Sequence, residues 1–221
     1  MNILVTAGGT REYIDGVRYL GNTSSGRTGA LLTDYLAEKG HSVMWLGAES
    51  AIRPQNAHRY AYYVGYDDLA DYLKKYLSEH TFDVIFHAAA VSDYQVTAVH
   101  SDGTDHDVSR NHKISSSAQT LQLTLSKHPK IINHLADWSI NKDLRVIGFK
   151  LTNTENTTEQ TQAVQKLLAQ PGLSAVVHND LNDISEKHHP FSLHVHGRDA
   201  FECADIKAVV NVLMTLWEME K

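Results

Sequence analysis

Short β-rich runs alternate with helix-patterned stretches along nearly the whole chain, and this alternation restricts the fold more than any other feature. Ile3 to Thr6 is a β-rich run that stops at Gly8-Gly9. A helix pattern follows from about Gly26 to Glu38, with Leu31/Tyr35 and Leu32/Leu36 at i,i+4 spacing and Gly40 as the stop. Ser42 to Leu46 reads as a second strand, and Asp67 to Glu79 as an amphipathic helix with Leu69, Tyr72, Leu73 and Leu77 as its stripe. Phe82 to Ala90 reads as a buried strand running into small residues. Leu144 to Phe149 and Leu173 to Val177 repeat the strand pattern around a helix from about Thr158 to Ala169. Phe191 to His196 reads as a late strand and Ala204 to Glu218 as a closing helix. The pattern predicts an α/β fold in three layers, a doubly wound and mainly parallel sheet with helices on both faces. At 221 residues the chain suits a single domain. One stretch departs from the pattern. From about Thr97 to Thr120 the chain is polar, and it is too long for an ordinary α/β connection. It reads as a flexible flap or as a tolerated surface insertion.

A formal charge of -6 disfavours nucleic-acid and anionic-membrane partners, yet it leaves room for a small anionic ligand held by local donors. The single cysteine, Cys203, excludes an internal disulfide and fits a reducing compartment. Met1 leads directly into Asn2-Ile3-Leu4-Val5 without a leader pattern, and no run is long and apolar enough to span a membrane. A cytoplasmic location is expected. The 14 histidines raise the question of a metal. His194 and His196 would share a strand face, but no third ligand follows at a zinc spacing, so no protein metal site is expected.

Ligands of doubly wound sheets gather outside the carboxyl ends of the strands. Three loops fall at such ends: Thr6 to Asn22, His87 to Tyr94, and Gly148 to Thr152. The first is glycine-rich, but Thr6-Ala7-Gly8-Gly9-Thr10 is not G-x-G-x-x-G, and only Glu49 offers an acid after the second strand. A plain nicotinamide dehydrogenase therefore fits poorly, and a nicotinamide- or flavin-dependent reductase of Rossmann type is the main alternative reading. Asn22-Thr23-Ser24-Ser25-Gly26-Arg27-Thr28-Gly29 runs straight into a helix. Free N–H groups and the helix dipole make such a terminus a phosphate site; the alternative is an ordinary N-cap on Ser24 or Ser25. Arg18 and Asn22, four residues apart, can pair a carboxylate and position an acyl group. Ala88, Ala89 and Ala90 would let a flat ligand approach the backbone, with Asp93 either accepting from a sugar or base, or only capping the strand.

Thr6-Ala7-Gly8-Gly9-Thr10-Arg11, Val17-Arg18-Tyr19-Leu20-Gly21-Asn22-Thr23-Ser24-Ser25-Gly26, Ala88-Ala89-Ala90-Val91-Ser92-Asp93-Tyr94, Lys113-Ile114-Ser115-Ser116, Gly148-Phe149-Lys150-Leu151 and His178-Asn179-Asp180 follow one another in a familiar order. In these blocks, from Asn2 to about Asp180, the chain resembles the phosphopantothenate–cysteine ligases. The resemblance implies a Rossmann-like ligase of coenzyme A biosynthesis, joining 4′-phosphopantothenate to L-cysteine through an acyl-cytidylate. CTP, or alternatively ATP, would be the co-substrate, with Mg²⁺ held mainly by the triphosphate. It puts Arg18 and Asn22 at the reacting carboxylate and makes Lys113, on the flap, the charged catalytic group. Gly8, Gly9, Thr10, Ser24, Ser25, Gly26 and Gly29 would lie along the acyl substrate. Ala88, Ala89, Asp93, Phe149, Lys166 and the segment Pro129-Lys130-Ile131-Ile132 would meet the nucleotide. The resemblance also implies a homodimer. With no decarboxylase domain ahead of Met1, the chain is similar to the free-standing bacterial form. Two departures concern the flap and the triphosphate: Ser115-Ser116 replaces a common Lys-Lys, and Gln170 stands where a second lysine is frequent. A non-enzymatic nucleotide-binding module is the alternative from another functional class.

Overall fold

The computed structural model describes residues 1–108, 110–185 and 188–219. The first parallel strand, β1 (Asn2–Gly9), runs through the expected stop at Gly8-Gly9 and is followed by a hairpin of β2 (Arg11–Tyr13) and β3 (Tyr19–Gly21). Then come α1 (Arg27–Glu38), β4 (Ser42–Ala48), β5 (Arg59–Tyr63), α2 (Tyr66–Glu79) and β6 (Val84–Ala90). A second small sheet is made of β7 (Tyr94–Ser101), β8 (Thr104–His106) and β9 (Gln122–Lys127). The chain finishes with α3 (Leu135–Trp138), β10 (Arg145–Thr152), α4 (Thr157–Leu168), β11 (Leu173–Asp180), β12 (Phe191–Val195), β13 (Phe201–Cys203) and α5 (Ile206–Met219).

The main sheet has the order β13-β12-β11-β10-β6-β1-β4-β5. It is parallel from β5 to β11, and β12 and β13 add antiparallel edges. Side-chain alternation divides each strand between two cores. Ile3, Val5 and Ala7 of β1 pack with Leu32 and Leu36 of α1 and with Val209, Val210 and Leu213 of α5. Leu4 faces the other way, with Leu69, Leu73 and Leu77 of α2 and Val164 and Leu168 of α4. The expected three-layer, doubly wound sheet is present.

The helices refine the apolar stripes read from sequence. In α1 Leu32 and Leu36 are fully buried, whereas Leu31 is 47% exposed. In α2 Tyr72 is likewise on the outside. Gly40, at φ 83°, ends α1 as expected, its N–H donating to Ala37 while His41 N–H donates to Leu36. The largest correction concerns the stretch from Thr97 to Thr120. Its first third is not a loop: β7 and β8 pair across Asp102-Gly103, whose φ values of 44° and 83° form a tight hairpin turn. Between β8 and β9 the described residues 107–108 and 110–121 form no helix or strand, and Lys113 lies among them.

Candidate active site

The strand order reverses direction between β1 and β6: the chain first builds outward to β4 and β5, then crosses back. Such a switch point opens a crevice beyond the strand ends. Here Thr10 N–H donates to Ala90 O (3.2 Å), and Thr10 Oγ1 accepts from Ser92 N–H (2.8 Å). Asn22 Nδ2 donates to Ala90 O (3.1 Å) and lies 3.3 Å from Val91 O. The loop after β1 and the end of β6 thus form one wall, with Asn22 exposed on it.

The wall is braced from behind by residues that sequence reading overlooked. Thr6 Oγ1 accepts from Ala89 N–H (3.1 Å) and lies within hydrogen-bond distance of His87 Nδ1, 3.0 Å away. Burial pushes the His87 pKa down to about 4. The phenol of Tyr63 reaches from β5 to the carbonyls of Ala7 (2.9 Å) and Gly8 (3.0 Å).

Most of the expected substrate-binding positions are packed closely into the wall. Gly8, Gly9, Thr10, Gly26 and Gly29 are all buried. A Cβ on Gly9 would stand 2.7 Å from the Asn22 carbonyl oxygen, and one on Gly29 would stand 2.5 Å from Ala7 Cβ. These glycines let a loop and a helix approach β1 closely. Ser24 and Ser25 differ. Neither side chain caps α1, whose N-cap is Gly26 in the left-handed region. Ser25 Oγ lies 3.4 Å from Arg27 N, at the margin of a hydrogen bond. The serine alternative is thus met only by this long bond from Arg27 N–H, and the first turn of α1 opens beside Ser25 with no acidic side chain in it.

Asp93 and Lys130 form an ion pair, and His128 N–H donates to the Asp93 carbonyl (2.9 Å), so the two expected nucleotide segments are adjacent. Ala88 and Ala89 are half-buried at the end of β6. Pro129 O accepts from Tyr66 (2.9 Å), while Ile131 is buried and Ile132 packs over Gly148. Both isoleucines anchor the segment. Phe149 is half-buried on β10, against the α1/α5 core. Lys166 is the candidate that the fold does not bring to this edge. It sits in the last turn of α4, where the chain is returning to the start of β11. Gln170, considered with it, donates to the Lys166 carbonyl on the same side (3.1 Å).

Arg18 is committed within its own turn. Its guanidinium pairs with Asp15 and donates through Nη2 to Ile114 O (2.9 Å). Lys113, next to that contact, has an exposed side chain. Two further polar groups went unread. Glu12 approaches His128 at 3.3 Å beneath the stacked ring of Tyr66, beside a cavity of about 190 Å³, and burial raises the Glu12 pKa. At the end of β11, Asp180 accepts from Thr152 Oγ1, Thr154 N (3.1 Å) and Asn182 N (2.9 Å), which hold its pKa down at about 2. Since the Thr152 proton goes to Asp180, Thr152 must accept from His178 Nε2 (2.8 Å), and His178 Nδ1 faces Ser192 Oγ (3.2 Å). His178-Asn179-Asp180 thereby ties the ends of β10, β11 and β12 together.

Tyr35 and Lys39 have the reductase Tyr-x-x-x-Lys spacing, but they lie at the far end of α1, where the Tyr35 hydroxyl donates to Asn211 Oδ1 (2.8 Å). That spacing therefore serves no site at the crevice.

Fold and crevice together define a doubly wound α/β protein in which the N-terminus of α1 opens beside the switch point. Residues 1–195 match the family described as DFP, the DNA/pantothenate metabolism flavoprotein C-terminal domain, and the chain belongs to that family. Among curated relatives, the Coenzyme A biosynthesis bifunctional protein CoaBC of Thermococcus kodakarensis is 31% identical over 179 residues, covering 81% of this chain and 41% of that protein. The chain spans about two fifths of the length of the curated relatives it matches. The crystal structure of the DNA/Pantothenate Metabolism Flavoprotein from Streptococcus pneumoniae superposes with a TM-score of 0.85 at 25% identity, covering 100% of both chains. A Cab2 mutant in complex with phosphopantothenate-cysteine shares the fold at a TM-score of 0.78 and 17% identity, over 99% of this chain and 86% of that one.

Proposed function

We propose that the chain is a phosphopantothenate–cysteine ligase of coenzyme A synthesis. A carboxylate resists attack by an amine because it is anionic and lacks a leaving group. In the proposed reaction the carboxylate of 4′-phosphopantothenate attacks the α-phosphorus of CTP and expels pyrophosphate. The amine of L-cysteine then attacks the acyl carbon of the mixed anhydride, losing a proton as CMP departs. The observation that carries this reading is the direct contact of Asn22 with Ala90: it joins the turn from Arg18 to Gly29 and the strand end from Ala88 to Asp93 in one wall. An acid bound by its phosphate at the α1 terminus and a nucleotide lying on β6 would then meet at Asn22.

Two anionic reactants must be held together against repulsion, and fixed donors placed where charge develops do so at no cost of reorganisation. The first N–H groups of α1 would hold the phosphate, with Asn22 beside the acyl group. Lys113 and Lys130 are the cations for the triphosphate. The exposed Asp93–Lys130 pair can exchange partners cheaply, since such pairs are worth about 0–1 kcal/mol. Among the described residues no group of three or more His, Cys, Asp or Glu could hold a metal ion. In the proposed reaction Mg²⁺ would be held mainly by the triphosphate.

Mixing CTP, phosphopantothenate and cysteine with the protein is expected to release pyrophosphate only when nucleotide and acid are both present. A parallel mixture with ATP assigns the nucleotide. Absence of release with either nucleotide overturns the reading. We also infer a homodimer, supported by exposed Tyr19, Leu20, Tyr94 and Leu125 on the two small sheets. Sedimentation at the monomer mass would contradict it.

A further inference from the structure

Asp15 is fully buried and accepts from five directions. The backbone N–H groups of Val17 (2.9 Å) and Arg18 (2.8 Å) donate to Oδ1. Arg18 Nε (2.9 Å), Arg18 Nη2 and the N–H of Ile114 (3.1 Å) donate to Oδ2. Arg18 Nη2 also holds the Ile114 carbonyl at 2.9 Å, and Gly16 N–H donates to His112 O at 2.8 Å. The turn from Asp15 to Arg18 therefore bonds the main chain on both sides of Lys113. Below it, Ile114 is 3% exposed and packs with Ile14, Val96 and Val99. The Lys113 side chain alone is left facing solvent between these anchors.

We propose that Asp15, with Arg18 as its partner, is a positioning residue that fixes the flap backbone at Lys113. The inference deepens the ligase reading and rests on Lys113 being the charged group of the flap. Irregular chain between β8 and β9 would otherwise sample many conformations, and ordering each residue costs about 1–2 kcal/mol. Five donors meeting one carboxylate supply that order locally. An ionised carboxylate is the side chain that can accept all of them, because an amide would turn its own N–H against either Ile114 or Arg18. Held by backbone donors and a guanidinium, the carboxyl group stays well below the usual carboxylate range. A consequence concerns Arg18. With Nε and Nη2 given to Asp15 and Ile114, most of its charge is compensated inside the turn, so its main role is to hold the flap rather than the substrate.

The test is a double-mutant cycle on the full chain, using pyrophosphate release. Asp15→Asn is expected to lower kcat about 10-fold or more while the KM for phosphopantothenate changes less than about threefold, the pattern of lost orientation. In the Lys113→Gln background the same substitution should add less than about twofold, because residues acting as a unit are non-additive. Equal losses in both backgrounds, or a loss confined to KM, overturn the proposal. Gly16→Ala reaches the same point without touching Asp15, since its Cβ would stand 2.8 Å from Arg110 O and 3.1 Å from His112 O. It should reproduce the same non-additive loss, and it stands in if Asp15→Asn does not fold. Trypsin supplies a readout independent of activity: both variants should be cut faster than the parent chain after Arg110 or Lys113. Unchanged cutting overturns the tether. If the parent chain releases no pyrophosphate, the ligase reading fails, while the proteolysis result still judges the anchoring of the flap.

Discussion

Asn22 is exposed on the crevice wall and spends its Nδ2 on Ala90 and Val91. Its amide is therefore held in place by the end of β6, beside where the acyl group would lie in the proposed reaction. Asn22→Ala is expected to keep the fold and slow breakdown of the acyl intermediate, which rapid-quench analysis of the bound nucleotide would follow. Normal kinetics through amide formation would remove Asn22 from the site. Lys113→Gln should slow turnover more than it weakens phosphopantothenate binding, and equal losses would make Lys113 a plain binding residue. Thr10 offers a different case, because nothing about it reads as structural until its hydroxyl is seen to accept from Ser92 N–H at 2.8 Å. Thr10→Val keeps the shape and orphans that donor, so unfolding free energy should drop by about 1–3 kcal/mol in urea titration. Which residues are polar and special could be seen in the sequence. That Gly8, Gly9, Gly26 and Gly29 stand against neighbouring chain could not, because a glycine gives no sign of what occupies the space it leaves.

At the scale of elements, strands and helices of the main sheet were legible because burial imposes their periods directly. Leu32 with Leu36, and Leu69 with Leu73 and Leu77, are fully buried as their spacing required. The misread stripe members, Leu31 and Tyr72, lie beside these on the helix, where a single turn of angle decides between sheet and solvent. The hairpin at Asp102-Gly103 did carry a signal, since Asp-Gly favours the left-handed conformations found there. It was obscured by the polar composition of its strands, which pack on only a small cluster around Ile14, Val96, Val99 and Ile114. The short edge strands β5 and β13 lack a period long enough to read. Element packing also yields a prediction. Gly29→Ala would force a methyl within 2.5 Å of Ala7 Cβ, so α1 must shift off β1. Overpacking of this kind costs about 1–3 kcal/mol, to be read as a lower Tm with the crevice wall loosened.

The whole molecule couples these parts to pH. Burial holds the folded His87 pKa near 4, whereas an unfolded histidine titrates near 6.5. Between those values the unfolded chain binds the extra proton, so stability is greatest above about 6.5 and falls as pH drops toward 4. Full expression of this shift is worth about 3 kcal/mol, and His87→Asn should flatten that part of the acid limb in urea titrations at pH 7 and pH 4.5. An unchanged slope would assign the limb to other groups. Asp180, depressed to about 2, adds a second loss that begins only below about 4. By itself the sequence determined the layer architecture, the parallel core and the loops at the strand ends, because each follows from local period and punctuation. The tertiary structure alone decided that Asn22 meets Ala90, that Asp15 grips Ile114 from 99 residues away, and that Lys166 is left at the far end of its helix. Those relations depend on strand order and on where a crossover returns, which no local pattern encodes.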